Sequence, residues 1–390
     1  MSRPLRIFLC CQQATRRHAV PAYSFWADYF RRGLPEAGHT VVEAPACDWA
    51  EGLTAMDEAA LAAWRERTWQ TALDFLRREH AREPIHLFLA YLFPRQVLAG
   101  AVEAIRQLGI PVVNFFCDNV RELRAVPAEF RGFDLHWVPE FKARAMYRDA
   151  GLPFVTCAMP CWVPPAQRTP PTVENRPVTF VGTRDEQREV LFRDAITLGL
   201  EVELRGVGWA APSPAPAPPP PAANPVERVR RQWQFAAQHG WPALARKILL
   251  PPRPPLDFDF SPWARPLVAE EEYWPTLREA RVCLGVNRYP SLRHPFDRPD
   301  TYSRLRDIEA PMAGACYLTE WTEGLDELYD LGQEIEVYHD AATLKEKAES
   351  LAADDQRRHS LRRLGQRRAL ADHSISRSFE RIAEKIGLSS

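Results

Sequence analysis

"PVTFVGTRDEQREVLF", residues 177–192, reads as a strand, a turn and a helix in immediate succession. The apolar run ends at Val181, Gly182 supplies the turn, and the residues that follow carry the helical period. A helix that opens at the end of a strand points free backbone N–H groups and the positive end of its dipole at the carboxyl edge of the sheet, where an anion fits. Thr183 and Glu186 also spell a capping box, which accounts for the same residues as a helix start and is compatible with an anion in front of it.

The same alternation extends outward in both directions. Upstream, strands are expected at 5–10, 40–44, 85–92, 111–116, 134–138 and 154–159, with amphipathic helices between them; downstream they recur at 200–206, 282–287, 315–320 and 334–338. Short apolar runs separated by helical segments are the mark of βαβ units. The expected fold is therefore α/β, with two Rossmann-like, doubly wound parallel-sheet domains. The polar, proline-rich stretch 163–177 reads as the linker between them. The domains are placed at 1–165 and 177–372, and residues 373–390 are expected to form a helix packing back toward the first domain. Within the second domain 211–265 reads as an insertion: "APSPAPAPPPPAANP" (211–225) is a polyproline-like spacer. The basic amphipathic segment that follows, 226–250, fits a helix packed on its own domain, with weak membrane-surface or partner docking as the alternative.

Composition excludes several classes. A chain of 390 residues exceeds the usual reach of one core. Fifty Lys and Arg against 51 Asp and Glu provide no global field for nucleic acid, so any basic site must be local. The first apolar run is too short for a signal-peptide core or a membrane span, so a cytoplasmic protein is expected. The eight cysteines form no CxxC pair and read as reduced, buried small hydrophobes. Arg357, Arg358, Arg362, Arg363, Arg367 and Arg368 spread around a helix expected at 354–371 and read as a solvated surface.

Two motifs fail their context. "GVGWAA" (206–211) matches a dinucleotide fingerprint, but prolines follow where a helix should open. Asp257 and Asp259 form a DxD, yet they follow "PPRPP" rather than a strand, and two carboxylates make a poor metal site; no metal is expected. Arg306 and Glu309 share a helix face, and by default such a pair is a surface ion pair. Their helix is expected from about Thr301 to Ala313, capped by Asp300 and closed by Gly314, with its start at the same sheet edge as Gly182.

"RxxExPxxG" (Arg306, Glu309, Pro311, Gly314), with "ELYDLGQEIEVYHDAATLKEKAESL" after it and His373 and Arg377 near the end, resembles the signature of the spore-maturation-type glycosyltransferases. The resemblance takes in "FVGTRDEQREVLF" and "EEEYWPTLREARVCLGVNRYP", covers most of 177–386, and is looser over "VVNFFCDN" in the first half. It implies the GT-B fold, two Rossmann-like domains facing a cleft, and transfer of a sugar from a nucleoside-diphosphate sugar to an acceptor that is a glycan, a protein or a small molecule. It further implies that Glu309 anchors the donor ribose. A second glutamate that faces the sugar in related enzymes falls here on Thr301, so the pair is incomplete. Such a reaction needs donors for the leaving diphosphate. Gly182, Thr183, Arg184, Arg288 and Arg306 are the candidates, with Asn287 as a further donor contact and no cofactor beyond the sugar nucleotide. Asp118 and His18, in loops after strands, are the candidate acceptor-side bases. A sugar-nucleotide epimerase or hydrolase on this fold, or a catalytically degenerate sugar-nucleotide-binding scaffold, are the competing readings.

Overall fold

The computed structural model describes residues 3–18, 24–169, 173–210, 229, 232–233, 235–236, 240–249, 256–289 and 299–388. The expected polyproline spacer thus lies outside the described residues. The chain divides into two compact units, Met1–Trp162 with Ala371–Ser390, and Val163–Leu370.

In the first unit the strands are β1 (Arg6–Cys11), β2 (Thr40–Val42), β3 (Leu87–Tyr91), β4 (Val112–Phe115), β5 (Leu135–Trp137) and β6 (Phe154–Val155), all parallel, in the order β2-β1-β3-β4-β5-β6. Every residue of "RIFLCC" and "LFLAY" is buried, as a sheet covered by helices on both faces requires. Helix Ile375–Lys385 belongs to this unit. It buries Ile375, Phe379 and Ile382, and Phe379 meets the rings of His39 and Trp137.

The second unit holds β7 (Arg176–Val181), β8 (Glu203–Arg205), β9 (Ala264–Arg265), β10 (Ala280–Gly285), β11 (Tyr317–Glu320) and β12 (Glu336–Tyr338), again all parallel, in the order β12-β11-β10-β7-β8-β9. From β7 the chain winds outward through β8 and β9, then returns to β7's other side with β10. The crevice at the carboxyl ends of β7 and β10 is therefore the topological switch point, where doubly wound sheets take ligands. Its core stacks Phe180, Phe192, Trp209 and Phe260 edge to face.

Three local expectations are corrected. The helix after Gly182 begins at Glu186 and its N-cap is Asp185, whose carboxylate accepts from the N–H groups of Gln187 and Arg188; the Thr183–Glu186 capping box does not form. The helix expected over 301–313 is confined to Arg306–Met312. Asp300 accepts instead from its neighbour's N–H and from the Tyr289 hydroxyl, and Thr301 makes an antiparallel bridge to Arg288. Finally, two of the six arginines on helix Asp355–Asp372 are buried rather than solvated. Arg358 and Arg362 converge on Glu174, with Nη2–carboxylate distances of 2.7 and 3.1 Å.

Helix Arg306–Met312 tolerates an internal proline for a visible reason. Pro311 has no N–H to give the carbonyl of Asp307 four residues back. The Tyr329 hydroxyl donates to that carbonyl instead, at 2.8 Å.

Candidate active site

At the switch point the Gly182 turn is held tightly. Its N–H donates to the Arg205 carbonyl, its carbonyl accepts from Trp209 Nε1, and the Arg184 N–H donates to Val207. Gly206 lies at φ +154°, and a Cβ there would run into the Gly182 carbonyl. The "GVG" triplet thus serves close backbone approach between two turns, not a dinucleotide. The turn's own N–H groups are largely engaged, and the helix start behind it is capped by Asp185. The expectation that backbone at Gly182 cradles an anion is corrected on that ground, since the N–H groups of Gly182 and Arg184 are both bonded within the turn; Thr183 is exposed.

Two of the proposed phosphate-binding side chains are also committed elsewhere. Arg184 Nε donates to Glu189 at 2.7 Å and its guanidinium lies over the Phe260 ring. Arg288 forms a buried ion pair with Glu320, Nε to Oε1 2.8 Å, while Oε2 of the same carboxylate accepts from the N–H groups of Asn287 and Arg288. Glu320 thereby ties the end of β11 to the end of β10. Asn287 is almost wholly enclosed, its amide donating to the Glu320 carbonyl at 2.8 Å.

The positive charge at the switch point comes from Arg188, Arg304 and Arg306. Each guanidinium lies over an aromatic ring: Arg188 over Phe180 at 5.4 Å, Arg304 over Tyr302 at 5.2 Å and Arg306 over Tyr273 at 5.3 Å. Arg188 Nη1 donates to the Thr183 carbonyl at 2.7 Å, which joins this group to the Gly182 turn. Burial first, then the charges of Arg304 and Arg306, push the Arg188 guanidinium down to about 10. One N–H position on each arginine is buried without a hydrogen-bond partner: Arg188 Nε, Arg304 Nε and Arg306 Nη1. Arg188 Nε lies 3.4 Å from Asp185, an ion-pair distance off the hydrogen-bond line.

Glu309 is buried and faces this cluster. Its Oε2 accepts from the Tyr273 hydroxyl at 2.6 Å and from Arg306 Nε at 3.3 Å. The charged pair is therefore enclosed rather than a helix-surface bridge. Burial opposes the charge on Arg306, but Tyr273 and Glu309 hold it above its ordinary value. Beside them Asp307 accepts from Tyr317 Oη, Thr319 Oγ1 and the Arg304 N–H, anchoring the start of the helix.

In the first unit His18 and Asp118 occupy loops after β1 and β4. His18 Nε2 lies 2.9 Å from both oxygens of Asp48. Asp48 also accepts from Thr15 Oγ1 and the Glu51 N–H; burial works against its charge, but these partners hold its carboxyl below the usual range. An ionised Asp48 holds the Nε2 edge of the His18 ring and so fixes the ring's orientation. Asp118 accepts from the Tyr91 hydroxyl at 3.5 Å. No bond joins it to His18 among the described residues. Its neighbour Glu140 is buried and receives the N–H groups of Asn119 and Val120.

Asp257 and Asp259 are exposed, with Asp259 accepting from Ser261. Among the described residues no three His, Cys, Asp or Glu side chains gather as a metal site, and no helix is long and apolar enough to cross a membrane.

The architecture is the GT-B fold. Sucrose-phosphate synthase from Thermosynechococcus elongatus superposes with a TM-score of 0.58 at 14% identity, covering all of both chains. HepE from Anabaena, in complex with UDP and glucose, gives 0.57 at 11% over 98% of this chain and 99% of that one. AviGT4, a glycosyltransferase involved in avilamycin A biosynthesis, gives 0.55 at 14% over 98% and 97%. Residues 234–384, less than half of the chain, match the family described as "Glycosyl transferase-like". No curated protein sequence matches.

Proposed function

We propose that this chain is a glycosyltransferase that takes a sugar from a nucleoside-diphosphate donor, with Arg188, Arg304 and Arg306 holding the diphosphate. The observation that carries this reading is the group of three arginines at the switch point, each with a buried N–H lacking a hydrogen-bond partner. The matched glycosyl transferase-like segment and the GT-B fold support it. In the reaction the bond from the anomeric carbon to the diphosphate oxygen breaks and its electron pair leaves with the diphosphate. The acceptor oxygen forms the new bond and yields its proton to a base. Three fixed cations stabilise the charge that builds on the leaving group, so the side chains perform the neutralisation that a metal performs elsewhere. Glu309 retains its assignment to the ribose, where it would accept from hydroxyls as it accepts from Tyr273. His18, oriented by Asp48, is the acceptor-side base, ahead of Asp118. The resemblance of the "RxxExPxxG" stretch supports a spore-maturation-type enzyme as the finer reading, and a cytoplasmic location would fit the sugar-nucleotide donor.

A thermal-shift panel of nucleoside diphosphates tests the donor site. A ligand at about 100 times its Kd should add roughly 2.7 kcal/mol to the folded state. Arg304→Met and Glu309→Ala are expected to abolish the shift while each variant stays folded; a wild type unmoved by every nucleotide at millimolar concentration ends the reading. His18→Ala and Asp48→Asn should keep the shift and lose transfer. Sugar release from donor alone at the transfer rate would favour a hydrolase.

A further inference from the structure

The insertion between β8 and β9 carries an apolar surface that the donor site does not use. Ala236 and Leu244 are buried, and the Leu244 N–H donates to the Gly240 carbonyl, so one face of this segment is packed. Its other face is apolar too. Trp233 and Trp241 are 62% and 59% exposed, with ring centroids 5.3 Å apart, and Leu249 at the end of helix Trp241–Leu249 is 77% exposed. Val229 and Ile248 are also exposed. Lys247 is exposed as well and sets its Nζ 4.0 Å over the Phe235 ring.

The charge of the segment is equally uneven. Residues 226–250 contain Arg228, Arg230, Arg231, Arg246 and Lys247 against Glu227 alone, in a chain whose formal charge is -1. Tryptophans exposed together with aliphatics and Lys247, in a segment whose sequence is this basic, suit the boundary between lipid headgroups and acyl chains, where indole rings settle and cations meet anionic lipid. A second protein fits less well. A stable interface takes about 20–30 residues from each side, and among the described residues the apolar patch consists of Val229, Trp233, Trp241, Ile248 and Leu249.

We propose that this face docks the protein on an anionic membrane surface, peripherally, through Trp233, Trp241, Ile248, Leu249 and Lys247. The proposal does not depend on the donor reading. The test is co-sedimentation of the full chain with vesicles of phosphatidylcholine alone, and with vesicles containing equal parts of phosphatidylcholine and phosphatidylglycerol, at low and high salt. Binding is expected to the anionic vesicles only and to weaken with salt. Lys247→Glu should weaken it at least fivefold, and Trp233→Ser with Trp241→Ser about tenfold or more. Circular dichroism and the nucleotide thermal shift of these variants should match the wild type, which separates a docking defect from a folding or donor-site defect. Equal sedimentation with both vesicle types, no sedimentation, or wild-type binding by the double tryptophan variant would overturn the proposal. So would a dimer in solution that the same variant dissociates, since that assigns the patch to a second copy of the chain.

Discussion

Arg188 sits where a positive charge is uncomfortable, its side chain only 14% exposed and beside two more arginines. With its guanidinium pushed down to about 10 from an ordinary 12.5, the folded state carries a destabilising charge at every neutral pH, relieved only above that value. Its contacts with the Thr183 carbonyl, Asp185 and the Phe180 ring leave the guanidinium lowered all the same, and a bound diphosphate would reverse that. Arg188→Met should therefore raise the unfolding free energy of the ligand-free protein by about 1 kcal/mol or more, and weaken nucleotide binding by at least tenfold. Urea titrations with and without nucleotide measure both, and a variant that is both less stable and unchanged in affinity contradicts the assignment. Arg188 is legible as a helix residue but not as a member of the arginine group, because that group draws in Arg304, far away in sequence. Asp48 was hidden for the same reason: 30 residues separate it from His18, and no local spacing links them. The pairing of Glu309 with Arg306 is legible because the two lie three residues apart.

Among the elements, parallel strands were the easiest to read. Buried on both faces, they are continuous apolar runs, and the observed limits lie close to those expected. Two-residue β9 carries no such signal. Helix Arg306–Met312 was read too long because the spacing continues through 301–305, while Asp300 and the Arg288–Thr301 bridge hold that stretch extended. Arg358 and Arg362 looked solvated because their partner, Glu174, lies 184 residues from Arg358. The proline in helix Arg306–Met312 makes a testable pair with Tyr329. Tyr329→Phe should cost about 1–2 kcal/mol by leaving the Asp307 carbonyl without its donor. In a Pro311→Ala background the cost should shrink, since residue 311 then supplies an N–H to that carbonyl. A double-mutant cycle in urea reads the difference, and strict additivity would show that the hydroxyl is not standing in for the missing N–H.

At the scale of the whole molecule, the titrating groups differ between the two units. In the first, burial holds His39, His86 and His136 below their ordinary 6.5, His136 at about 4, and His39 and His86 accept the N–H groups of Leu5 and Arg6. Their stabilisation is complete above pH 6.5 and declines as pH falls toward the folded values. Burial has the opposite effect on Glu140, raised from 4.5 to about 8: its contribution is complete below 4.5 and is lost as pH climbs through 8. Three histidines outweigh one glutamate on the acid side, so the first unit should be most stable near pH 6.5. In the second unit Glu174 loses burial's contest to Arg358 and Arg362, its carboxyl is lowered, and its stabilisation falls only below 4.5. Calorimetry across pH 4.5 to 8 should show an optimum for the first unit's transition, with Glu140→Gln flattening its alkaline side; two transitions moving in parallel would refute this. The return of helix Ile375–Lys385 to the first unit bears on biosynthesis. A ribosome emits most of that unit first and this piece only after all of Val163–Leu370 has followed, so the surface at Gly33, where Ile375 packs too closely for any Cβ, stays uncovered until then. The first unit is thus completed only after the second has been synthesised.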